Sequence, residues 1–454
     1  MYEEAMSLLK DKKYTELRSL LADMEAADIA ILLEDADIEV LPRLYRILPK
    51  ELAADVFAEM EPDKQELLIK AFSDSELREV LEEMFLDDTV DLIEEMPAAM
   101  VKRILRIAKP EMRKQINELL NYPKDSAGSI MTIEYVDLKK YMTVMDAFAR
   151  IRKTALDKET IYTCYVTDQG RHLVGIISVK DMLLAPPDAI IEDIMDTGVI
   201  YMYTHDDQEE VAKQISKYDF LAMPIVDNET RLVGIVTVDD AIDVIQEEVE
   251  EDIAIMSAVT PSDDTYFKTT VWEHAKHRIL WLLILMLSAT VTGIIITDFE
   301  TAMSALLVSF LPMLMDTGGN CGSQSSAMII RGMAVDEIEL RDFLKVWWKE
   351  ARIALIVGVT LAVANTARIW IMYFFNQNNS AYTEYNMWGV SLVVGITIIG
   401  AVLLAKSLGC CLPMLAKKLK LDPAIMASPL ITTIVDCCTV LLYFNVAIAV
   451  LKIT

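Results

Sequence analysis

From about Tyr14 to Tyr122 apolar positions recur at three- and four-residue spacing, in short runs broken near Pro49, Pro62, Ser73, Asp87, Pro97 and Pro110. A proline or an N-cap residue opens a helix well, because the first turn leaves its N–H groups without intrahelical partners. The pattern predicts a stack of short amphipathic helices, an all-α superhelical domain over 1–125. From about Ser126 the period shortens to that of buried strands, and the change occurs twice. An apolar strand at 165–168 precedes a second at 174–181, and the same arrangement returns 59 positions later at 225–227 and 233–240. Each copy closes on a Ser or Thr followed by Asp, a helix start. Two α/β domains are expected, at 126–196 and 197–240. An acidic connecting helix is expected over 241–275. Beyond it lie apolar stretches at 278–298, 302–331, 352–375, 387–414 and 424–451. Each can cross a hydrocarbon core of roughly 30 Å, predicting a five-helix transmembrane domain over 276–454.

Charge divides the chain at the same place. Of 454 residues with a net charge of −28, residues 1–270 carry 58 Asp and Glu against 29 Lys and Arg, while the remainder is near neutral. Such a field repels nucleic acid and attracts cations, so no nucleic-acid partner is expected. The start of the chain is polar and acidic, unlike a signal peptide. The six cysteines lack zinc-ligand spacing and are expected to be reduced. Basic residues near the spans cluster at Arg331, Arg341, Lys345, Lys349 and Arg352, and at Lys417, Lys418 and Lys420. The intervening stretches at 297–303 and 376–389 have none. This alternation places the acidic half in the cytosol and the C-terminus outside.

Three features carry candidate chemistry. Asp436 falls near the middle of the last apolar stretch, where a carboxylate costs about 2.5–3.5 kcal/mol to insert and marks a polar path or partner. Thr432 and Ser428 precede it by one and two turns, with Pro429 beside them. Arg368 and Lys406 lie nearer span ends, where they are expected to snorkel rather than pair with Asp436. Second, the segment 312–326 places Gly318, Gly319 and Gly322 inside an apolar span, which suggests an interrupted helix whose exposed carbonyls could line a cation path. Third, ten carboxylates lie between Asp239 and Asp264, with no Lys or Arg from 232 to 267. Asp240, Asp243, Glu247 and Glu250 or Glu251 share one helical face, with Ile242, Ile245 and Val249 as an apolar stripe. Like charges at this spacing repel, and a hard divalent cation supplies the missing countercharge.

At these places the chain resembles a known family. The duplicated "VGI(I/V)(S/T)V-x-D" resembles a tandem pair of CBS domains. "P-x-L-x-x-T-G-G-N-x-G-x-Q-S" and "D-P-A-x-x-x-x-P-L-x-x-T-x-x-D" resemble the MgtE family of magnesium channels and transporters, over essentially the whole length. The resemblance implies a homodimer in the cell membrane with its pore on the two-fold axis. Asp436 would be the ligand of hydrated Mg²⁺, and Ser323, Ser428, Pro429 and Thr432 would line the pore. It also implies closure by cytosolic Mg²⁺ held at Asp55, Asp87 and Asp91 of the first domain and at Asp207, Glu209 and Asp219 of the CBS pair. Asp240, Asp243, Glu248, Glu251 and Asp252 of the connecting helix would take part, as would Asp422, which is equally an ordinary N-cap before Pro423. ATP is a further implied ligand, with Asp181 on the ribose side and Phe220 on the adenine side. Asp316, Ser323 and Ser428 depart from residues common in the family. Two other readings stay open on the residues alone: a carrier for Co²⁺ or Mn²⁺, and a membrane-anchored nucleotide sensor. No nucleophile motif, His–carboxylate cluster or phosphate loop points to an enzyme.

Overall fold

The structure, a computed structural model, describes residues 2–34, 36–155, 158–262, 266, 269–300, 305–375 and 386–452. It divides into two compact units, Met1–Gln246 and Glu247–Thr454.

Short helices open the first unit: α1 (Tyr2–Lys10), α2 (Tyr14–Leu21), α3 (Ala26–Glu34), α4 (Leu41–Tyr45) and α5 (Lys50–Ala58). Then follow α6 (Pro62–Ala71), α7 (Asp74–Glu83), α8 (Leu86–Glu95), α9 (Ala98–Ile107) and α10 (Pro110–Leu119). Their starts obey the punctuation of the sequence. Pro62 and Pro110 occupy first helical positions, and Pro49 and Pro97 stand one residue earlier as N-caps. Ser73 caps α7 in a reciprocal box, its hydroxyl accepting from the Glu76 N–H while the Glu76 carboxylate accepts from the Ser73 N–H at 2.7 Å. Each helix turns one apolar stripe inward, onto a core that includes Leu33, Leu44, Phe57, Leu68 and Leu77. Tyr45 and Phe72 meet there with ring centroids 5.2 Å apart.

Two α/β repeats follow. The first holds β1 (Asp137–Lys139), α11 (Val144–Thr154), β2 (Thr163–Thr167), β3 (Leu173–Ser178), α12 (Val179–Leu184) and α13 (Ile191–Ile194). The second holds β4 (Met202–Tyr203), α14 (Gln208–Tyr218), β5 (Ala222–Val226) and β6 (Leu232–Thr237). Both sheets have one form: the first strand runs parallel to the second, and the second antiparallel to the third. The repeat read from the sequence is thus a repeat of topology. Where the two meet, His172 pairs with Arg231 across the pseudo-two-fold relation. Helix α15 (Val238–Met256) continues directly from β6. Its apolar residues Ile242, Ile245, Val249 and Ile253 are exposed.

The second unit is built from α16 (Val271–Glu300), α17 (Ala305–Val308), α18 (Leu311–Ala334), α19 (Phe343–Phe375), α20 (Met387–Lys418) and α21 (Ser428–Leu451). Among the described residues four helical stretches are long and apolar enough to cross a membrane: Val271–Phe299, Leu340–Phe375, Met387–Lys418 and Pro423–Leu451. The remaining long helix, α18, is more polar and packs against α20 and α21.

Two expectations are corrected here. The glycines of 312–326 do not interrupt a helix, because α18 runs unbroken from Leu311 to Ala334. Their role is close packing. An added Cβ would stand 2.9 Å from Thr439 Oγ1 at Gly318, 3.1 Å from Thr432 Cγ2 at Gly319 and 2.7 Å from Ile431 Cγ2 at Gly322. Gly409 of α20 approaches so closely that a Cβ would lie 2.5 Å from the Gly322 carbonyl oxygen. Small residues let helix backbones touch where no hydrophobic force between helices exists. Nor does Lys406 snorkel: it is 6% exposed, and its ammonium donates to Ser325 Oγ at 2.9 Å and lies 3.4 Å from Glu350. Glu350 also accepts from Ser325 at 2.6 Å, so one buried triad joins α18, α19 and α20. Arg368, by contrast, is exposed and donates to Asn365 Oδ1 at 2.9 Å.

Candidate cation sites

In the second unit the packing of α18 on α21 decides what Asp436 faces. Gly319 against Thr432 and Gly318 against Val435 bring the two backbones together, and Asp316 of α18 becomes the charged neighbour of half-buried Asp436. Two carboxylates on adjoining helices, with no ion pair to a basic side chain among the described residues, form an oxygen-rich position suited to a hard cation. The polar groups expected nearby behave differently. Thr432 and Thr433 both donate to the Pro429 carbonyl one turn earlier at 2.9 Å, so their hydroxyl protons are used within α21. Ser323 donates back to Gly319 O at 2.9 Å. The Ser428 side chain lies outside the described residues. Asp422 caps the 3₁₀ turn Pro423–Met426, accepting from the Ala424 N–H at 2.7 Å.

In the first unit the fold gathers a second group that no local stretch of sequence contains. Asp87, Glu134 and Glu159 can each offer one carboxylate oxygen, and these oxygens lie within 4.8 Å of one another. Glu134 is held by the Leu86 N–H at the start of α8, at 3.2 Å, and its own carbonyl accepts from the Glu159 N–H at 2.9 Å. Asp240 joins through the turn that begins α15, where Thr237 donates to its carboxylate. Burial, followed by the surrounding negative charge, raises the carboxyls in concert. Asp87 and Asp240 rise to about 6, Asp88 to about 7 and Glu159 to about 8. The like charges responsible include Glu134, Glu59 and Asp239. Asp91, more exposed, shifts in the same direction through desolvation and the charges of Asp87, Asp240 and Asp88. Asp243 is raised by desolvation and Asp239. One Glu159 oxygen is buried without a hydrogen-bond partner among the described residues. Crowded carboxylates that resist ionisation alone accept a divalent cation through oxygen ligands.

The structure thus brings together Asp87, Asp91 and Asp240 of the expected set. Asp55 is exposed on α5. Glu248, Glu251 and Asp252 lie further along α15. Asp207 caps α14, accepting from the Glu209 N–H at 2.9 Å, and Asp219 closes that helix in a left-handed conformation at φ 55°. Glu209 pairs with Lys213 one turn on. Asp181 lies in the first turn of α12, which Ser178 caps; its carboxylate accepts from the Ser178 hydroxyl at 2.6 Å, and Phe220 stacks on Tyr218 with centroids 5.4 Å apart. Sequence reasoning missed Glu59, Asp88, Glu134, Asp239 and Glu159. Asp88 and Asp239, each beside a named aspartate, were within reach. Glu134 and Glu159 meet α8 only through the fold.

The comparisons with known proteins follow the same division. A divalent cation transporter model, MgtE, matches residues 311–446. The MgtE intracellular N domain matches 24–125, and CBS domains match 127–188 and 191–247. The magnesium transporter MgtE of Thermus thermophilus is 35% identical over 95% of this chain and 94% of that protein. That of Bacillus subtilis is 32% identical over 97% and 95%. A crystal structure of the cytosolic domain of the Mg²⁺ channel MgtE in complex with ATP covers 54% of this chain and 100% of its own, at 36% identity and a TM-score of 0.51. With relatives this similar over nearly its whole length, and with all three family regions in order, this chain belongs to the MgtE family.

Proposed function

We propose that this protein is a magnesium transporter of the cell membrane. In this reading Mg²⁺ passes along α18 and α21 past Asp436, and Mg²⁺ held by the acidic cluster of the first unit closes the path. The observation that carries the reading is half-buried Asp436 within the apolar helix α21, with exposed Asp316 of the adjoining α18 as its charged neighbour. A carboxylate pair there has no structural benefit to offset its insertion cost, whereas a hydrated cation on its way through supplies the countercharge. The named relatives are magnesium transporters, which supports Mg²⁺ as the cargo.

The closing step is a binding event that biases a two-state element. Without Mg²⁺ the carboxylates of α8, Glu134, Glu159 and Asp240 repel one another, and bridging ions remove that repulsion. Asp207, Glu209, Asp219, Asp243, Glu248, Glu251, Asp252 and Asp422 are the further positions proposed to hold regulatory ions. In this reading the acidic unit lies in the cytosol and the C-terminus outside, which the distribution of basic residues among the loops supports. We assign a homodimer, as the family resemblance implies, and ATP as a regulatory ligand near Asp181 and Phe220, which the ATP complex of the similar cytosolic domain supports.

The test is Mg²⁺ uptake into proteoliposomes by wild type and Asp436→Ala, at low and high Mg²⁺ on the face bearing the acidic unit. Uptake that needs Asp436 and falls as Mg²⁺ rises on that face is the expected result. Uptake indifferent to Asp436 would remove the transport reading.

A further inference from the structure

Beside β1 and β2 lies a cleft of about 280 Å³ whose walls include Tyr135, Asp137, Lys139, Lys158, Thr167 and Arg171. Its charge runs against its surroundings. Residues 1–270 have twice as many acids as bases, yet here three cations meet one carboxylate. That carboxylate, Asp137, is already neutralised by ion pairs to Arg150 and to Lys139, the latter at 3.4 Å. Of the described acids nearby in sequence, Glu134 and Glu159 belong to the cluster with Asp87, and the Asp168 carboxylate pairs with His172 at 2.9 Å.

The donors are divided in an informative way. Lys139 is spent, bonded to Thr167 Oγ1 at 2.7 Å and Asp168 O at 3.2 Å, and contributes charge alone. Arg171 uses only Nη2, donating to the Tyr135 hydroxyl and Leu232 O, both at 3.2 Å. Its other donors remain for a guest. Lys158 is half-buried and makes no hydrogen bond or ion pair among the described residues. A guanidinium fork with a free ammonium beside it is a recognition set for phosphate oxygens.

We propose that this cleft binds a small phosphate-bearing anion. Its volume is at the lower end of ligand cavities, roughly 300–1,000 Å³, so it admits a phosphate or diphosphate and leaves any attached nucleoside outside. Asp181 and Phe220 are not part of its wall, which makes it distinct from the position assigned to ATP. The inference does not depend on Mg²⁺ transport.

The experiment is calorimetric titration of pyrophosphate into the full-length protein, in uncharged detergent and resin-treated, Mg²⁺-free buffer. Wild type is expected to bind. Lys158→Gln, which keeps much of the stem and removes the charge, is expected to weaken binding roughly tenfold, while Lys158→Arg and Asp181→Asn leave it intact. A parallel ATP titration separates the sources. If Lys158→Gln weakens ATP equally, the anion is a nucleotide's phosphate chain; if ATP is indifferent, it is a free phosphate compound. No binding by wild type, equal binding by Lys158→Gln, or loss in Asp181→Asn overturns the proposal.

Discussion

On the proposed transport reading, Asp436 is worth its place in an apolar helix only as a charge. Replacement by Asn keeps size and hydrogen bonding while removing the negative charge that attracts a cation. We expect Asp436→Asn to lower Mg²⁺ uptake by about tenfold or more, equivalent to about 1.4 kcal/mol of lost interaction, with normal folding and insertion. Asp316→Asn tests the neighbouring carboxylate, and a smaller fall is expected because Asp436 remains; normal uptake in both variants would leave the path without its ligand. Glycines offer the reverse experiment, in which something is added. A methyl at Gly409 meets the Gly322 carbonyl at 2.5 Å, whereas one at Gly293 meets nothing within 4 Å. Gly409→Ala should therefore cost about 1–3 kcal/mol of packing and reduce uptake, and Gly293→Ala should leave both unchanged. Thermal melts of the two variants in detergent, read beside uptake, check the difference.

At the scale of elements, the buried triad Lys406, Glu350 and Ser325 is the polar joint of three helices. Breaking a buried pair leaves a lone charge in a low-dielectric interior, at a cost of about 3–5 kcal/mol, whereas removing both charges is close to neutral. Lys406→Met alone and Glu350→Gln alone are expected to lower stability and uptake, and the double variant to recover much of both. A double variant no better than the worse single would show that the charges do not act as a pair. This joint also marks where the sequence ceased to be legible. Helix starts in the first unit were readable because Pro62, Ser73 and Pro110 act through their own turn. The two sheets were readable because the strand pattern repeats. Gly318, Gly319 and Gly322 were misread because glycine serves a broken helix and a close helix contact equally well, and only the facing residues decide. Lys406 was misread for a related reason: its place along the span was visible, but Glu350, 56 positions away, was not. Glu134 and Glu159 are the same case in the first unit, since their link to Asp87 exists only after α8 has packed.

For the whole molecule, the cluster around Asp87 ties stability, pH and Mg²⁺ together. Its carboxyls stand at about 6 for Asp87 and Asp240, 7 for Asp88 and 8 for Glu159, against roughly 4 for such groups in an unfolded chain. Between those limits the folded unit binds more protons than the unfolded chain. Stability is then fully present below about pH 4 as far as these groups are concerned, and it is lost as pH rises through 6 to 8. Protons and Mg²⁺ answer the same repulsion, so they compete. Raising the pH removes the protons, sharpens the repulsion and strengthens the ion's hold, because ligand carboxylates must be ionised to bind. In calorimetric scans of the full-length protein without Mg²⁺, the transition of the acidic unit should move to lower temperature from pH 6 to pH 8. Millimolar Mg²⁺ should raise it at both pH values, and more at pH 8, since an ion that binds the folded state stabilises it in proportion to the logarithm of its saturation. Glu159→Gln with Asp88→Asn should flatten the pH dependence and shrink the Mg²⁺ shift together. The same linkage carries to transport: the cytosolic Mg²⁺ concentration that half-closes the path should rise as cytosolic pH falls. A half-closing concentration that does not change with pH would mean that the cluster is not where the closing ion binds.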